Sequence, residues 1–371
     1  VKQMLNQINK SVALIVCALI IFFLANCSQQ FTVGINIPST PHEKLSEYQF
    51  FDGDVAKLKP AAGVLPYELI SPLFSDYSHK ERFVWMPDGE AAAYTTEHVL
   101  DFPVGAVLIK NFYYHHDERD HAKGRRLIET RLLINRGEEW DAYGYSWNDE
   151  QSEAYYDIVG DIKDVTWINE AGETQKVDYI IPNKNQCKGC HAYDNKLKPI
   201  GPKVRNINKD FAFVDGVHNQ LDKWTTAGYL TGYDTATSHP AVAQWDDGSL
   251  SLQDRSMAYL DINCGHCHNP KGAGRTSGMT LLAHSDLGLK VGVYKPTVSA
   301  GAGTGGHSFS IVPGNADESI MIYRMSSTNP GAMMPELGRR MVHAEGVDLI
   351  ANWINSMDQS RFEVPKDSSL N

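Results

Sequence analysis

Residues 125–147 read RRLIETRLLINRGEEWDAYGYSW, two runs of aliphatic and aromatic residues split by Arg136-Gly137-Glu138-Glu139. Glu129 to Ile134 alternates only in part, so composition and spacing carry the strand reading more than a two-residue period does. Working outward, Arg82 to Met86, Ala106 to Tyr114, Val165 to Ile168 and Lys176 to Ile181 are runs of the same kind, divided by Gly, Asp and Asn. Short strands so spaced predict a mainly-β, sandwich-like domain over 45–182.

Beyond that domain the pattern changes. A helix is expected from Asn219 to Ala227, stopped by Gly228, another over Leu252 to Asn263, and a last one over Glu345 to Met357. In the last, Val347, Ile350, Trp353, Ile354 and Met357 share one face. Between the last two lies a glycine-rich stretch including Gly301, Gly303, Gly305 and Gly306, where backbone can wrap closely round a ligand.

Two stretches read Cys-x-x-Cys-His: Cys187-Lys188-Gly189-Cys190-His191 and Cys264-Gly265-His266-Cys267-His268. This is the attachment signature of a c-type haem: two thiols add across the two vinyl groups of one porphyrin and the adjacent imidazole reaches the iron. The expected cofactors are therefore two covalently attached haem c groups, with His191 and His268 as proximal ligands. A zinc ribbon wants its cysteine pairs about 15–20 residues apart, whereas 73 residues separate Cys190 from Cys264. A thioredoxin-like role fails because each pair is followed by His and neither sits in a strand-then-helix context.

The other two cysteines, Cys17 and Cys27, fall in or just after the apolar run SVALIVCALIIFFLA (residues 11–25), which follows Lys2 and Lys10. The run is too short for an ordinary membrane span and has the form of a signal-peptide core. Leu24-Ala25-Asn26-Cys27 resembles a bacterial lipobox, although Asn26 replaces the usual small residue. It implies a signal peptide over 1–26 and acylation at Cys27; Ser28 in the next position lacks the acid that retains such lipoproteins at the inner membrane. An outer-membrane anchor facing the periplasm is the expectation, with soluble secretion and an uncleaved anchor as alternatives. Cleavage removes 26 of 371 residues, leaves 345, and takes the formal charge from −11 to −13 by loss of Lys2 and Lys10. That sign disfavours nucleic-acid partners.

The chain order predicts a signal peptide (1–26), a tether (27–44), the β-rich domain (45–182), a first haem-binding segment (183–245), a class I cytochrome c-like domain carrying the second haem (246–360) and a tail (361–371). Helix, Cys-x-x-Cys-His, long loop, Met-Pro and terminal helix follow the order of class I cytochromes c. The fold class expected is thus α+β multidomain with an all-α C-terminal domain, in which Tyr259 or Leu260 meets Trp353. Met333-Met334-Pro335 arrives where that order places the distal ligand, and the proline that stiffens its backbone favours Met334. Arg275 is a candidate partner for a haem propionate.

The distal ligand of the first haem stays open. His218 is nearest in sequence; His79, His98, His115, His116 and His121 are other donors, and an empty sixth position is a further outcome. His115 to His121, with Asp117, Glu118 and Asp120, reads as a solvated hairpin loop because no metal-specific spacing is present. The acidic stretch Asp141 to Asp164 offers a docking surface for a basic redox partner, or simply solubility.

Several runs together resemble a bacterial family of di-haem c-type cytochromes. They are Phe74-Ser75-Asp76-Tyr77, Phe102-Pro103-Val104-Gly105, Ile180-Ile181-Pro182-Asn183 through His191, Ile200-Gly201-Pro202-Lys203, Asn219-Gln220-Leu221, Tyr259 through Pro270, and Met333 through Arg339. The resemblance spans nearly all of the chain after Cys27; it implies two covalent haems and an envelope location, and gives no substrate. The C-terminal part is also similar to cytochrome domains attached to periplasmic dehydrogenases, which implies His268 and Met334 as an axial pair. An electron carrier serving periplasmic redox proteins or a dehydrogenase is the leading expectation. A peroxidase-like oxidoreductase with an open first haem, and a module that binds a partner dehydrogenase, are its rivals.

Overall fold

The hairpin read from residues 125–147 forms the middle of a six-stranded antiparallel sheet. In chain order the strands are Leu65–Tyr67 (β1), His79–Trp85 (β2), Ala92–Ala93 (β3), Val107–His115 (β4), Arg125–Asn135 (β5), Trp140–Trp147 (β6), Ala154–Asp157 (β7), Asp161–Ile168 (β8) and Thr174–Ile181 (β9). The sheet runs β1-β2-β4-β5-β6-β7. β3 leaves it to pair with Leu230–Thr231, and β8 and β9 form a separate hairpin. The computed structural model describes residues 34–96, 98–298 and 301–364; the signal segment, Cys17 and Cys27 lie outside them. From Pro38 onward the chain makes one compact unit.

Alternation explains how the sheet is covered. On one face Phe83 meets Phe51 edge-on with ring centres 5.2 Å apart, and the Tyr145 and Tyr48 hydroxyls are hydrogen-bonded (2.9 Å), so the segment after His42 lies over it. Residues 38–44, at the end of the stretch read as a tether, run beside the sheet: Arg136 donates to the Pro38 carbonyl (2.7 Å) and Tyr145 to that of His42 (2.9 Å). The opposite face carries Val84, Leu108 and Ala142 into one apolar cluster with Val204, Ile207, Leu221 and Trp224. Phe112 and Tyr114, further along, pack against Val165, Trp167, Val177 and Tyr179 of the β8–β9 hairpin. Ile128 is the extra residue of a β-bulge where the β4–β5 register shifts.

The helices are Lys184–His191 (α1), Val204–Ile207 (α2), Gln220–Thr226 (α3), Leu252–Asn263 (α4), Ile320–Ser326 (α5) and Ala344–Asn355 (α6). α4 and α6 share a buried cluster in which Tyr259, Leu260 and Trp353 meet, as the sequence predicts. Their close approach needs Gly346, where a Cβ would collide with the Tyr259 hydroxyl. Among the described residues no helix is long and apolar enough to cross a membrane.

The expected fold class is corrected in two respects. The structure is mainly β, with about 21% helix, so the C-terminal part is not an all-α cytochrome domain. The cause is local: between α4 and α5 the glycine-rich chain has no apolar helical stripe and adopts turns, with bridges Val293↔Ile311 and Pro296↔Phe309. The sandwich expectation gives way to one large sheet, part of which is covered by a two-stranded hairpin and the rest by helices and loops.

Candidate functional site

Asn183 starts α1 with a reciprocal cap: its side chain accepts from Gln186 N (3.0 Å) and that of Gln186 accepts from Asn183 N (2.9 Å). The short helix that follows sets Cys187 and Cys190 one turn apart and ends on His191. Ser251 caps α4 through Asp254 N (3.1 Å), and that helix runs directly into Cys264. Tight turns follow, and Gly272 is required because a Cβ there would strike the Cys267 carbonyl.

The two motifs border two adjoining cavities, His191 the first and His268 the second. The first, of about 330 Å³, is bounded by Cys187, Cys190 and His191, by the sheet face through Arg82, Lys110 and Arg131, and by the segment around Met333 and Met334. The second, of about 620 Å³, is bounded by Cys264, Cys267, His268, Leu281, Arg324 and Met334. Both volumes fall in the roughly 300–1,000 Å³ range of cofactor and ligand sites. The cavities adjoin: Cys190, Cys264, His266, Met325, Met334 and Glu336 border both.

The donor atoms fit haem ligation. His191 Nδ1 is 2.8 Å from the Lys198 carbonyl, which can only accept, so Nδ1 carries the proton and Nε2 is left without a protein partner. His268 Nδ1 lies 2.9 Å from Ser277 Oγ, whose own proton goes to the Gly274 carbonyl (2.8 Å), with the same result. Burial pushes the His191 imidazole down to about 3 and lowers His268 too, which favours the neutral ring that a metal ligand needs. Burial raises the Cys187 and Cys190 thiols and pushes Cys264 and Cys267 up to about 12, which is unlike the activated thiolate of a redox enzyme. Among the described residues no group of three or more His, Cys, Asp and Glu is arranged to hold a bare metal ion.

Met334 is fixed by its backbone: its N–H donates to the Arg324 carbonyl (3.0 Å) and its carbonyl accepts from Arg339 Nη2 (2.9 Å). The same Arg339 nitrogen also donates to the carbonyls of Met325 and Ser327, so one buried guanidinium gathers the loop. Asp76 Oδ1 accepts from Arg340 N and Met341 N (2.7 Å each), and Phe74 stacks on His343 with ring centres 4.2 Å apart. The Phe74-Ser75-Asp76-Tyr77 run therefore ties the methionine loop to the sheet. A second tie joins the two motifs: Lys203 and Arg205 hold the buried Asp261 carboxylate at 3.0–3.1 Å.

Several predicted residues lie elsewhere. His218 is exposed on a short hairpin 3.8 Å from Asp215 and borders neither cavity; the hairpin turns it to solvent, so the structure does not support it as an iron ligand. Arg275 is exposed and also borders neither cavity; Arg324 is the arginine at the second. His98 and His116 are exposed. His79, His115 and His121 come together with Glu118 at one end of the sheet, the His115 and His121 rings stacked at 3.7 Å. Much of the acidic stretch is paired internally, Asp141 with Arg136 and Lys184, Asp161 with Lys163, and Asp164 with Lys176. Sequence reasoning missed His266 and His343, which border the first cavity, and the cations Arg82, Lys110 and Arg131 on its sheet wall. Only its place between the two cysteines of a motif hinted at His266.

No protein-family model, curated protein or solved structure matches the chain, so the reading of this site rests on its own geometry.

Proposed function

We propose that the protein is a di-haem c-type cytochrome that carries electrons in the bacterial envelope. One haem c is attached at Cys187 and Cys190 with His191 as ligand, and one at Cys264 and Cys267 with His268 and Met334 as ligands. The supporting observation is the pair of adjoining cavities, His191 bordering the first and His268 the second, each histidine with Nδ1 engaged and Nε2 unpartnered among the described residues. Bound haem supplies one-electron redox chemistry tuned by axial ligand and burial. The chain's part is to orient both imidazoles, present the Met334 thioether beside both cavities, and exclude water with the apolar walls. The proposal includes lipid at Cys27, an outer-membrane periplasmic location, and a periplasmic redox protein or dehydrogenase as partner.

The test is pyridine haemochrome quantification of the full chain expressed with a cytochrome c maturation system, followed by low-temperature EPR with and without azide. Two haems per chain and two low-spin signals indifferent to azide are expected. A chain without covalent haem overturns the proposal, and a high-spin signal converted by azide overturns the carrier role in favour of an open catalytic first site.

A further inference from the structure

The sheet wall of the first cavity is charged where a protein interior is normally apolar. Arg82 on β2, Lys110 on β4 and Arg131 on β5 stand directly opposite one another across three strands, in the registers Arg82↔Lys110 and Lys110↔Arg131. All three border the cavity. Like charges at opposed positions repel, and burying them costs more unless something anionic compensates. Arg131 has such a partner: Nε and Nη2 grip the buried Glu129 carboxylate at 2.7 and 2.5 Å, and Tyr179 donates to it at 2.6 Å. Among the described residues Arg82 and Lys110 have no carboxylate at ion-pair distance. Arg82 is 6% exposed and its Nη2 is buried with no hydrogen-bond partner. Lys110 makes no ion pair and rests 4.5 Å above the Phe112 ring. Asp76 and Glu336 also border this cavity; Asp76 Oδ1 accepts from Arg340 N and Met341 N, Glu336 lies beside Arg324, and among the described residues neither forms an ion pair with Arg82 or Lys110.

The sheet wall thus carries three basic side chains and only Arg131 is gripped by a carboxylate, which leaves Arg82 and Lys110 at the cavity that holds Cys187, Cys190 and His191. A haem brings two propionate carboxylates. We propose that Arg82 and Lys110 form the propionate clamp of the first haem, Arg82 as a forked donor and Lys110 as a point charge. The inference rests on the di-haem reading and assigns that haem's orientation: propionate edge toward β2 and β4, thioether edge toward α1. Of the other cations that border this cavity, Arg339 is committed to backbone carbonyls, Arg131 to Glu129, and Arg340 is exposed to solvent.

The experiment uses the full haem-loaded chain and its Lys110→Met and Arg82→Lys variants. Readouts are haem content, the two midpoint potentials and the resonance Raman bending vibration of the propionates. Removing a cation beside a haem disfavours the added electron, so Lys110→Met is expected to lower one midpoint by about tenfold in its equilibrium constant, about 59 mV for one electron, and to shift one propionate vibration. Arg82→Lys keeps the charge, so it moves the vibration while changing that midpoint less than threefold. In a Cys187→Ala/Cys190→Ala background, which retains only the second haem, Lys110→Met is expected to move the remaining midpoint less than threefold.

Lys110→Met replaces a half-buried amine that has no ion-pair partner among the described residues with an apolar side chain of similar length, and is expected to fold at least as well as the parent. Two haems with both midpoints and vibrations unmoved in Lys110→Met overturn the clamp and leave the di-haem reading standing; absence of covalent haem overturns both. A full shift in the single-haem background assigns the cations to the second haem and also overturns the clamp. Parent midpoints that depend on phosphate concentration at constant ionic strength show that a free anion occupies the cations, which overturns it as well.

Discussion

The two cavities share a motif and differ in almost everything around it. The first is floored by a hydrogen-bonded sheet, holds unbalanced cations and encloses about 330 Å³; the second is walled by helices and a glycine-rich loop, borders on Arg324 and encloses about 620 Å³. A sheet wall is held by its ladder whether or not a ligand is present, whereas a loop wall depends on contacts with what it surrounds. On the proposed reading the five motif residues specify attachment, and the wall behind them sets charge, size and rigidity.

The largest expected effect follows from that contrast. On the di-haem proposal, Cys264→Ala/Cys267→Ala should lower the thermal midpoint more than Cys187→Ala/Cys190→Ala, with haem content falling from two to one in each. Differential scanning calorimetry with haemochrome quantification measures both, and the reverse order breaks the comparison.

Next is the tie between the regions. Asp261→Asn leaves Lys203 and Arg205 buried beside a neutral group and should cost about 3–5 kcal/mol in denaturant unfolding. Burial works against the Asp261 carboxylate, yet Lys203 and Arg205 outweigh it and hold the pKa below the usual range. Its contribution is therefore complete above an unfolded-state pKa of about 3.9 and is lost as pH falls through the lower folded value. The parent should lose stability more steeply below about pH 4 than Asp261→Asn does.

A smaller effect separates the adjacent methionines. Met334 borders both cavities and Met333 only the first. Met334→Leu should abolish the thioether-to-iron absorption band and lower one midpoint potential. Met333→Leu should keep the band and cost under about 1.5 kcal/mol; loss of the band in Met333→Leu would exchange their roles. Smallest of all, His218→Gln should leave both haem spectra unchanged and stability within about 0.5 kcal/mol, because the side chain is exposed on a hairpin remote from both walls.

Much of this was legible along the chain. The β5–β6 hairpin matched its expected bounds, Arg125–Asn135 and Trp140–Trp147, because apolar runs bounded by polar turn residues are a local signal. α4 emerged one residue from Cys264, and α6 presented Ile350, Trp353 and Ile354 to the core through helical spacing. The all-α expectation failed because helix order alone says nothing about how the 56 residues between Asn263 and Ile320 are shaped. The candidate site was half visible. Both motifs and Met334 meet the cavities, whereas His218 and Arg275 do not.

By itself the sequence determined where thiols and imidazoles occur together, which segments are strands, and which helical faces are apolar, since each depends on residues within a few positions of one another. Only the tertiary structure decided that Arg82, Lys110 and Arg131 line up on one wall, that Asp76 and Arg339 anchor the methionine loop, and that Asp261 joins the two motif regions. Those juxtapositions depend on strand register and on contacts between residues up to 265 positions apart. Register is fixed by the burial of a whole sheet face, a property that belongs to no single stretch of the chain.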